Sequence, residues 1–303
     1  MTLEALKQSP RDERKNVEEL YRAFNSLSDD GWITETVAVS SRERNGRAMA
    51  LPIPSFRTNK TGRAVWIISG IHGEEPAGPN AIAAGISLIR DLGRDMPVVL
   101  LPLCNPLGYV SSWRYLDRPD WQEGVASASA GDSEHVLKNS DSPETPRTPA
   151  ASSPEAAALV AHVLHLAENY PPVISIDFHE DNLLDEGYIY SQGKHGARDK
   201  VAQHVVEALR SSGVSVRMTG KTRFGEDITA GIVGPQSDGS VDELLSAESI
   251  IVDGKPASGP HAESVIVVET PAAAMPLNDR ERAHLAVLSC LRDIAGRHII
   301  PLK

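Results

Sequence analysis

The chain has 303 residues, 41% of them hydrophobic and 23% charged, enough apolar material to close a substantial core and too much for a disordered chain. Its formal net charge is −11, with 41 acidic against 30 basic residues and no block of Lys or Arg fit to neutralise a phosphate backbone, so no nucleic-acid partner is expected. The opening MTLEALKQSPRDERKNVEEL has no apolar stretch of signal-peptide length, and no run approaches the ~20 apolar residues that span a bilayer; the expectation is a cytoplasmic chain that does not engage a membrane.

In chain order, roughly the first 28 residues read as a helix with Leu20, Tyr21 and Phe24 on one side. Residues 34–55 alternate as strands do, around the turn Arg44-Asn45-Gly46. Residues 1–58 are therefore expected to form a helix and hairpin within the same domain as the catalytic part, 59–303. RAVWIISGIHG suits a buried strand, PAGPNAIAAGISLIRDLG a helix, and PVVLLPLCNPLGY a second buried strand closed by an Asn-Pro turn. Residues 121–154, rich in Ala, Ser, Gly and Pro, have no sustained period and are expected as a long surface excursion, either a lid or a disordered loop. EAAALVAHVLHLAENY then reads as a helix leading through Pro171-Pro172 into the strand VISIDFH, and DKVAQHVVEALRSSG as a further helix. Residues 214–262 are Gly-rich and mixed, SVIVVET is a last buried strand, and NDRERAHLAVLSCLRDIAGRH a closing helix with Asn278 or Asp279 available as its cap. This alternation predicts an α/β fold: a mixed, mostly parallel central sheet with helices on both faces. Cys104 and Cys290 lie in apolar and amphipathic runs and are expected as free thiols.

Chemistry concentrates where strands end, because loops and helices diverge there and leave a crevice. His72 and Glu75 stand three apart in a loop after a buried strand, with Gly70 and Gly73 allowing the backbone to bend close to an ion. A neutral imidazole and a carboxylate are ligands that zinc accepts in hydrolytic sites. His179 ends VISIDFH in the same kind of position, just past Asp177, a candidate acceptor for the second ring nitrogen of a ligating histidine. Glu269 ends SVIVVE, where a carboxylate can take a proton from water activated by the metal and deliver it to a leaving nitrogen. Glu74 reads as a loop carboxylate facing water, and Glu180 and Asp181 as solvated acids beside a turn, so one ion is expected. His162 and His165 lie on a helix and read as ordinary helix residues, and GKTRFGEDITAGIVG lacks the setting of a phosphate loop.

HGEE, the strand-terminal DFH and the strand-terminal ET together resemble the zinc carboxypeptidase family over about residues 60–295, including its relatives of the succinylglutamate desuccinylase and aspartoacylase kind that deacylate amino acids. The resemblance implies one Zn2+ held by His72, Glu75 and His179, with Glu269 as general base for cleavage of an amide bond. Asn105-Pro106-Leu107-Gly108-Tyr109 resembles the family's Asn-Pro-Asp-Gly turn, with Leu in place of Asp, which puts Asn105 among the expected substrate-facing residues. Arg114 is similar to the arginine that polarises the scissile carbonyl, a task that suits fixed, permanently charged donors. The family's Asn-Arg pair for the substrate's terminal carboxylate is missing, and Gly131-Asp132-Ser133-Glu134-His135 stands about where it belongs. The only tyrosines between His179 and Glu269 are Tyr188 and Tyr190; Arg118 or Arg223 is available to bind a carboxylate instead. The expected substrate is a peptide, with an N-acyl amino acid as the alternative. Deacylase-type relatives usually append a β-rich domain after the catalytic Glu, whereas chiefly one helix follows Glu269. A catalytically inactive metal-binding protein is the reading from another class, and the oligomeric state is not legible.

Overall fold

Along the strand after residue 63, Val65 and Ile67 face one side and Trp66 and Ile68 the other, and all four are fully buried. A strand with two apolar faces is stable only in a sheet covered on both sides. The computed structural model, which describes residues 13–44, 47–115 and 131–298, has that architecture. Its strands are β1 (Ile33–Arg44), β2 (Arg47–Arg57), β3 (Ala64–Ser69), β4 (Val98–Leu101), β5 (Pro172–Asp181), β6 (Tyr188–Ser191), β7 (Thr219–Lys221), β8 (Asp227–Thr229), β9 (Ile232–Val233), β10 (Ser249–Val252), β11 (Lys255–Ser258) and β12 (Ser264–Pro271). The helices are α1 (Val17–Asn25), α2 (Ala77–Ala84), α3 (Ile86–Asp95), α4 (Pro106–Ser111), α5 (Pro154–Asn169), α6 (Lys200–Ser211), α7 (Val241–Ser246) and α8 (Leu277–His298).

Ten strands form one mixed sheet in the order β1-β2-β4-β3-β5-β12-β6-β9-β8-β7, and β10 and β11 pair separately. The centre, β4-β3-β5-β12, is parallel, while the hairpin of β1 and β2 joins one flank antiparallel through β4, and β6 lies antiparallel to β12 on the other. Leu20, Ile82, Ile89, Val205 and Leu288 carry α1, α2, α3, α6 and α8 onto one face. Leu159, Val163 and Leu244 carry α5 and α7 onto the other. The α/β class, mixed sheet and two-sided covering are those expected from the alternation of the sequence. No helix of the described residues is long and apolar enough to cross a membrane, and both cysteines are free.

Three local expectations need correction. The helix expected from PAGPNAIAAGISLIRDLG is two helices, α2 and α3, divided at Gly85, where a Cβ would stand only 2.8 Å from Leu285 Cδ2 of α8. That close approach, not helix propensity, sets the break. Asn278 and Asp279 do not cap α8 from outside; they lie in its first turn, and Pro276 C=O receives the Asp279 and Arg280 amides at 3.0 and 3.2 Å. Of the expected excursion 121–154, residues 121–130 fall outside the described residues, and the rest is neither disordered nor free of the core. Val136 and Leu137 are buried against α5 and α7, Ser133 N donates to Gly239 C=O at 2.8 Å, and Arg147 clasps Glu243. Two apolar side chains and a paired arginine suffice to anchor a segment that has no periodic pattern.

Candidate active site

Strands β3 and β5 are parallel neighbours, yet the chain passes from β3 outward to β4 before returning to β5 on the other side. Their loops therefore leave in opposite directions and open a crevice at the carboxyl ends, the switch point at which α/β sheets bind ligands. His72 and Glu75 occupy the loop after β3, and His179 lies on β5 two residues before that strand ends. Gly73 allows the loop to close: its backbone packs so tightly on α4 that a Cβ would fall 2.0 Å from Gly108 C.

The three side chains converge. His72 Nδ1 lies 2.9 Å from Glu75 Oε1, His179 Nδ1 is 2.9 Å from Glu75 Oε2, and the two Nδ1 atoms are 3.2 Å apart. One donor atom from each falls within 4.8 Å of the others, a spacing that a single divalent ion can bridge. Burial and the charge of Arg114 bring the His72 pKa down to about 4, which leaves its imidazole neutral with a lone pair to offer. Burial also opposes protonation of His179, but Asp177 and Glu75 outweigh it and hold its pKa well above the ordinary value. A divalent ion bound beside it would favour the neutral, ligating imidazole instead. The outer nitrogen of His179 stands 3.1 Å from Asp177 Oδ2, so the acceptor that orients a ligating imidazole is present, though poorly aligned as a hydrogen bond. The donor set thus fits zinc in identity, protonation and support.

Glu269 opens onto the same crevice from β12, opposite His179 in the strand register. Desolvation pushes its pKa to about 8 against the lowering effect of His179, with Glu75 adding to the rise. Arg114 reaches the ligand loop: its Nη1 donates to Glu75 Oε1 at 2.7 Å and to Glu74 Oε1 at 2.8 Å. Glu74 therefore does not face water as expected but lies half-buried against a guanidinium. Glu180 is also unlike the expected solvated acid; it is buried, pairs with Arg280, accepts from Ala77 N at 2.8 Å, and has its pKa raised to about 7 by burial. Asp181 is likewise buried and used structurally, accepting from Leu183 N at 2.7 Å and Tyr188 Oη at 2.8 Å.

The remaining expected residues separate. Arg223 lies at the cavity wall, 3.4 Å from Asn182 Oδ1 and over the ring of Phe224. Asn105 does not reach the cavity: it is buried, its Oδ1 caps α4 by accepting from Gly108 N at 2.8 Å, and its Nδ2 donates to Arg114 C=O at 3.1 Å. An Asn before a Pro at a helix start spends its side chain on the backbone, and that corrects the substrate-facing expectation. Arg118 lies outside the described residues. Sequence reasoning missed Asp242, whose buried carboxyl comes within 4.8 Å of the donor atoms of Asp177 and His179. Burial first, and Asp177 next, push its pKa well above the usual range. It sits at the start of the short α7, in a stretch without periodic pattern, and no spacing rule could have singled it out.

The cavity holds about 460 Å3, and its walls mix Tyr188, Tyr190, Phe224 and Val267 with Arg114, Arg223, Asp132, Asp238 and Glu269. Such a mixture of apolar wall and convergent polar groups suits a small organic ligand or the end of a peptide.

No protein-family model matches the chain, and no curated protein does either. Solved structures do. A protein of Shewanella baltica named "putative metallopeptidase" aligns over 92% of both chains with a TM-score of 0.69 at 18% identity. A metallo-carboxypeptidase from Burkholderia cenocepacia aligns over 94% of this chain and 70% of its own, with a TM-score of 0.56 at 13% identity. Carboxypeptidase A from Helicoverpa armigera covers 96% of this chain and 75% of its own, with a TM-score of 0.58 at 14% identity. The chain therefore has the fold of the metallo-carboxypeptidases.

Proposed function

We propose that the protein is a zinc-dependent hydrolase that cleaves an amide bond, acting as a carboxypeptidase on the end of a peptide. The observation that carries this reading is the convergence of His72, Glu75 and His179 at 2.9–3.2 Å, beside a cavity that also receives Glu269 and Arg114. Neighbours of this fold are named as metallo-carboxypeptidases, which favours the peptide over the N-acyl amino acid.

Zinc held by His72, Glu75 and His179 would supply Lewis acidity, polarising a carbonyl oxygen and bringing the pKa of water down to about 7. Glu269, as carboxylate, accepts the proton of the attacking water on its Oε and hands it to the departing nitrogen, so that acid and base work fall to one group in two steps. Its raised pKa matches that cycle: a carboxyl titrating near neutrality both takes and returns a proton readily. Arg114 offers its guanidinium to the oxyanion as charge develops there. Arg223, at the wall of the cavity, would meet a terminal carboxylate in place of the family's Asn-Arg pair. Asp177, beside the outer nitrogen of His179, would hold that ring in the orientation a ligand needs.

The test is metal analysis of the purified protein joined to a hydrolysis screen of free-ended peptides, the same peptides with amidated C-termini, and N-acyl amino acids. One zinc per chain with cleavage of free-ended peptides alone supports the proposal. Cleavage of N-acyl amino acids but no peptide assigns the deacylase activity instead. Zinc uptake with no hydrolysis in any arm favours a binding protein.

A further inference from the structure

Arg14 precedes α1 in sequence by only a few residues, far from every motif, yet it is 4% exposed and its guanidinium is inserted beneath the candidate ligand loop. Its Nη1 donates to Gly73 C=O at 3.0 Å, within the loop between His72 and Glu75, and also to Tyr109 C=O. Its Nη2 donates to Ser112 Oγ at 3.0 Å, and the guanidinium carbon lies 5.0 Å from the centre of the Tyr109 ring. Tyr109 and Ser112 belong to α4 and its C-terminal cap, five and two residues before Arg114. Gly73 N, in turn, donates to Arg114 C=O at 3.3 Å. The next residue, Lys15, extends the contact, its C=O accepting from Tyr109 Oη at 2.8 Å while the same hydroxyl reaches Asn80 Oδ1 of α2 at 2.8 Å.

We infer that Arg14 is a positioning residue that holds the loop bearing His72 and Glu75 in register with the segment bearing Arg114. The inference rests on the metal-site reading above. Its physical basis is that the loop and the α4 segment share no side-chain packing at Gly73, where any side chain is sterically barred. At that point only backbone groups can join them, beside the ion pairs of Arg114 with Glu74 and Glu75, and a planar fork with several donors in fixed directions can tie carbonyls of both at once. A ligand set must be kept within about 0.5 Å of its working geometry, and loops are the least rigid place to build one. Arg14 adds that rigidity from a third part of the chain. It touches neither ion nor substrate, and it acts through Gly73 and Arg114.

The experiment measures zinc affinity by competition with a chelator for the full-length wild type, R14A, R14K and S112A, with R57A as a control. Arg57 pairs with Glu35 on the sheet flank and has no contact with the ligand loop. The expected result is zinc affinity lowered about 10-fold or more in R14A, partly restored in R14K and mildly lowered in S112A, as for groups that orient ligands from behind. R57A should lose melting temperature without losing zinc. On any substrate found by the screen, kcat of R14A should fall while KM stays within about twofold, since binding groups on the cavity wall are untouched. Should R14A not fold, R14K and S112A carry the same comparison. Wild-type affinity in R14K and S112A, or zinc loss in R57A equal to theirs at equal destabilisation, overturns the role of Arg14 and leaves the metal site standing. A wild-type chain that takes up no zinc overturns the metal site itself.

Discussion

Glu269 and His179 stand at the same register position of two adjacent parallel strands, β12 and β5. Neighbouring strands lie about 4.8 Å apart, so this pairing alone carries a carboxylate to the edge of the ligand set without any loop to position it. Both residues are followed by two more strand residues, so neither stands at a frayed strand end.

In the proposed mechanism the base comes from a strand and the ligands are other residues, so the two roles are separable by substitution. Glu269→Gln should keep zinc at wild-type stoichiometry and lower kcat by about 10²–10⁴, the usual worth of a positioned general base. Metal analysis and single-substrate kinetics on the same preparation check both halves, and loss of zinc along with activity would assign Glu269 to the ligand set instead.

Substitution of a ligand should act in the opposite order. His72→Ala should lower zinc occupancy, and the protein should then lose the extra thermal stability that zinc confers on the wild type. Ligand present at 100 times its dissociation constant stabilises by about 2.7 kcal/mol. Differential scanning fluorimetry with and without added zinc reads the effect, which should vanish in the variant.

The pH profile follows from the state of Glu269. Its carboxylate is the working form, and burial raises its pKa from 4.5 to about 8, so activity should fall on acidification at a pH well above the ordinary carboxylate range. A bound dication favours the ionised form, so the midpoint of the acid limb should lie below about 8 and above 4.5. A kcat/KM profile whose acid limb falls at 4.5 or lower would remove Glu269 from this role.

Arg280 of α8 pairs with Glu180, next to the candidate ligand His179, across the helix-to-sheet interface. Arg280→Met removes the partner of a buried carboxyl that can escape by taking up a proton, so it should cost about 1–2 kcal/mol at pH 8, roughly one pKa unit of ionisation energy. The Glu180 pKa in the folded protein is already raised to about 7, so its protonated form is the favoured one on folding. That contribution is complete below the unfolded value near 4.5 and is lost as pH rises through 7. The variant should therefore be destabilised less at pH 5 than at pH 8, as urea melts at the two values will show. Equal losses would mean that Glu180 stays ionised throughout.

Several parts of the site were legible because they lie in local patterns. The apolar runs ending in His72, His179 and Glu269 marked buried strands, and buried parallel strands place their carboxyl ends together. Arg114 is legible only through its resemblance to the arginine segment of the carboxypeptidase family, and Arg223 only as an available cation. Asn105 was misjudged because the pattern identifies a helix start but does not say which way the side chain spends its hydrogen bonds. Glu74 and Glu180 lie beside turns, where acids are usually solvated; only the arginines brought in from residues 114 and 280 make their burial tolerable.

By itself, the sequence determined the α/β class, the strands that end at the crevice and the residue types available there, because each depends on periodicity and chemistry within a few residues. Tertiary structure alone decided that Arg14 reaches Gly73, that Asp242 comes up behind Asp177, and that Gly85 splits a helix against Leu285. Such contacts join segments tens of residues or more apart, and they depend on packing distances and free hydrogen-bonding groups that no local stretch of sequence encodes.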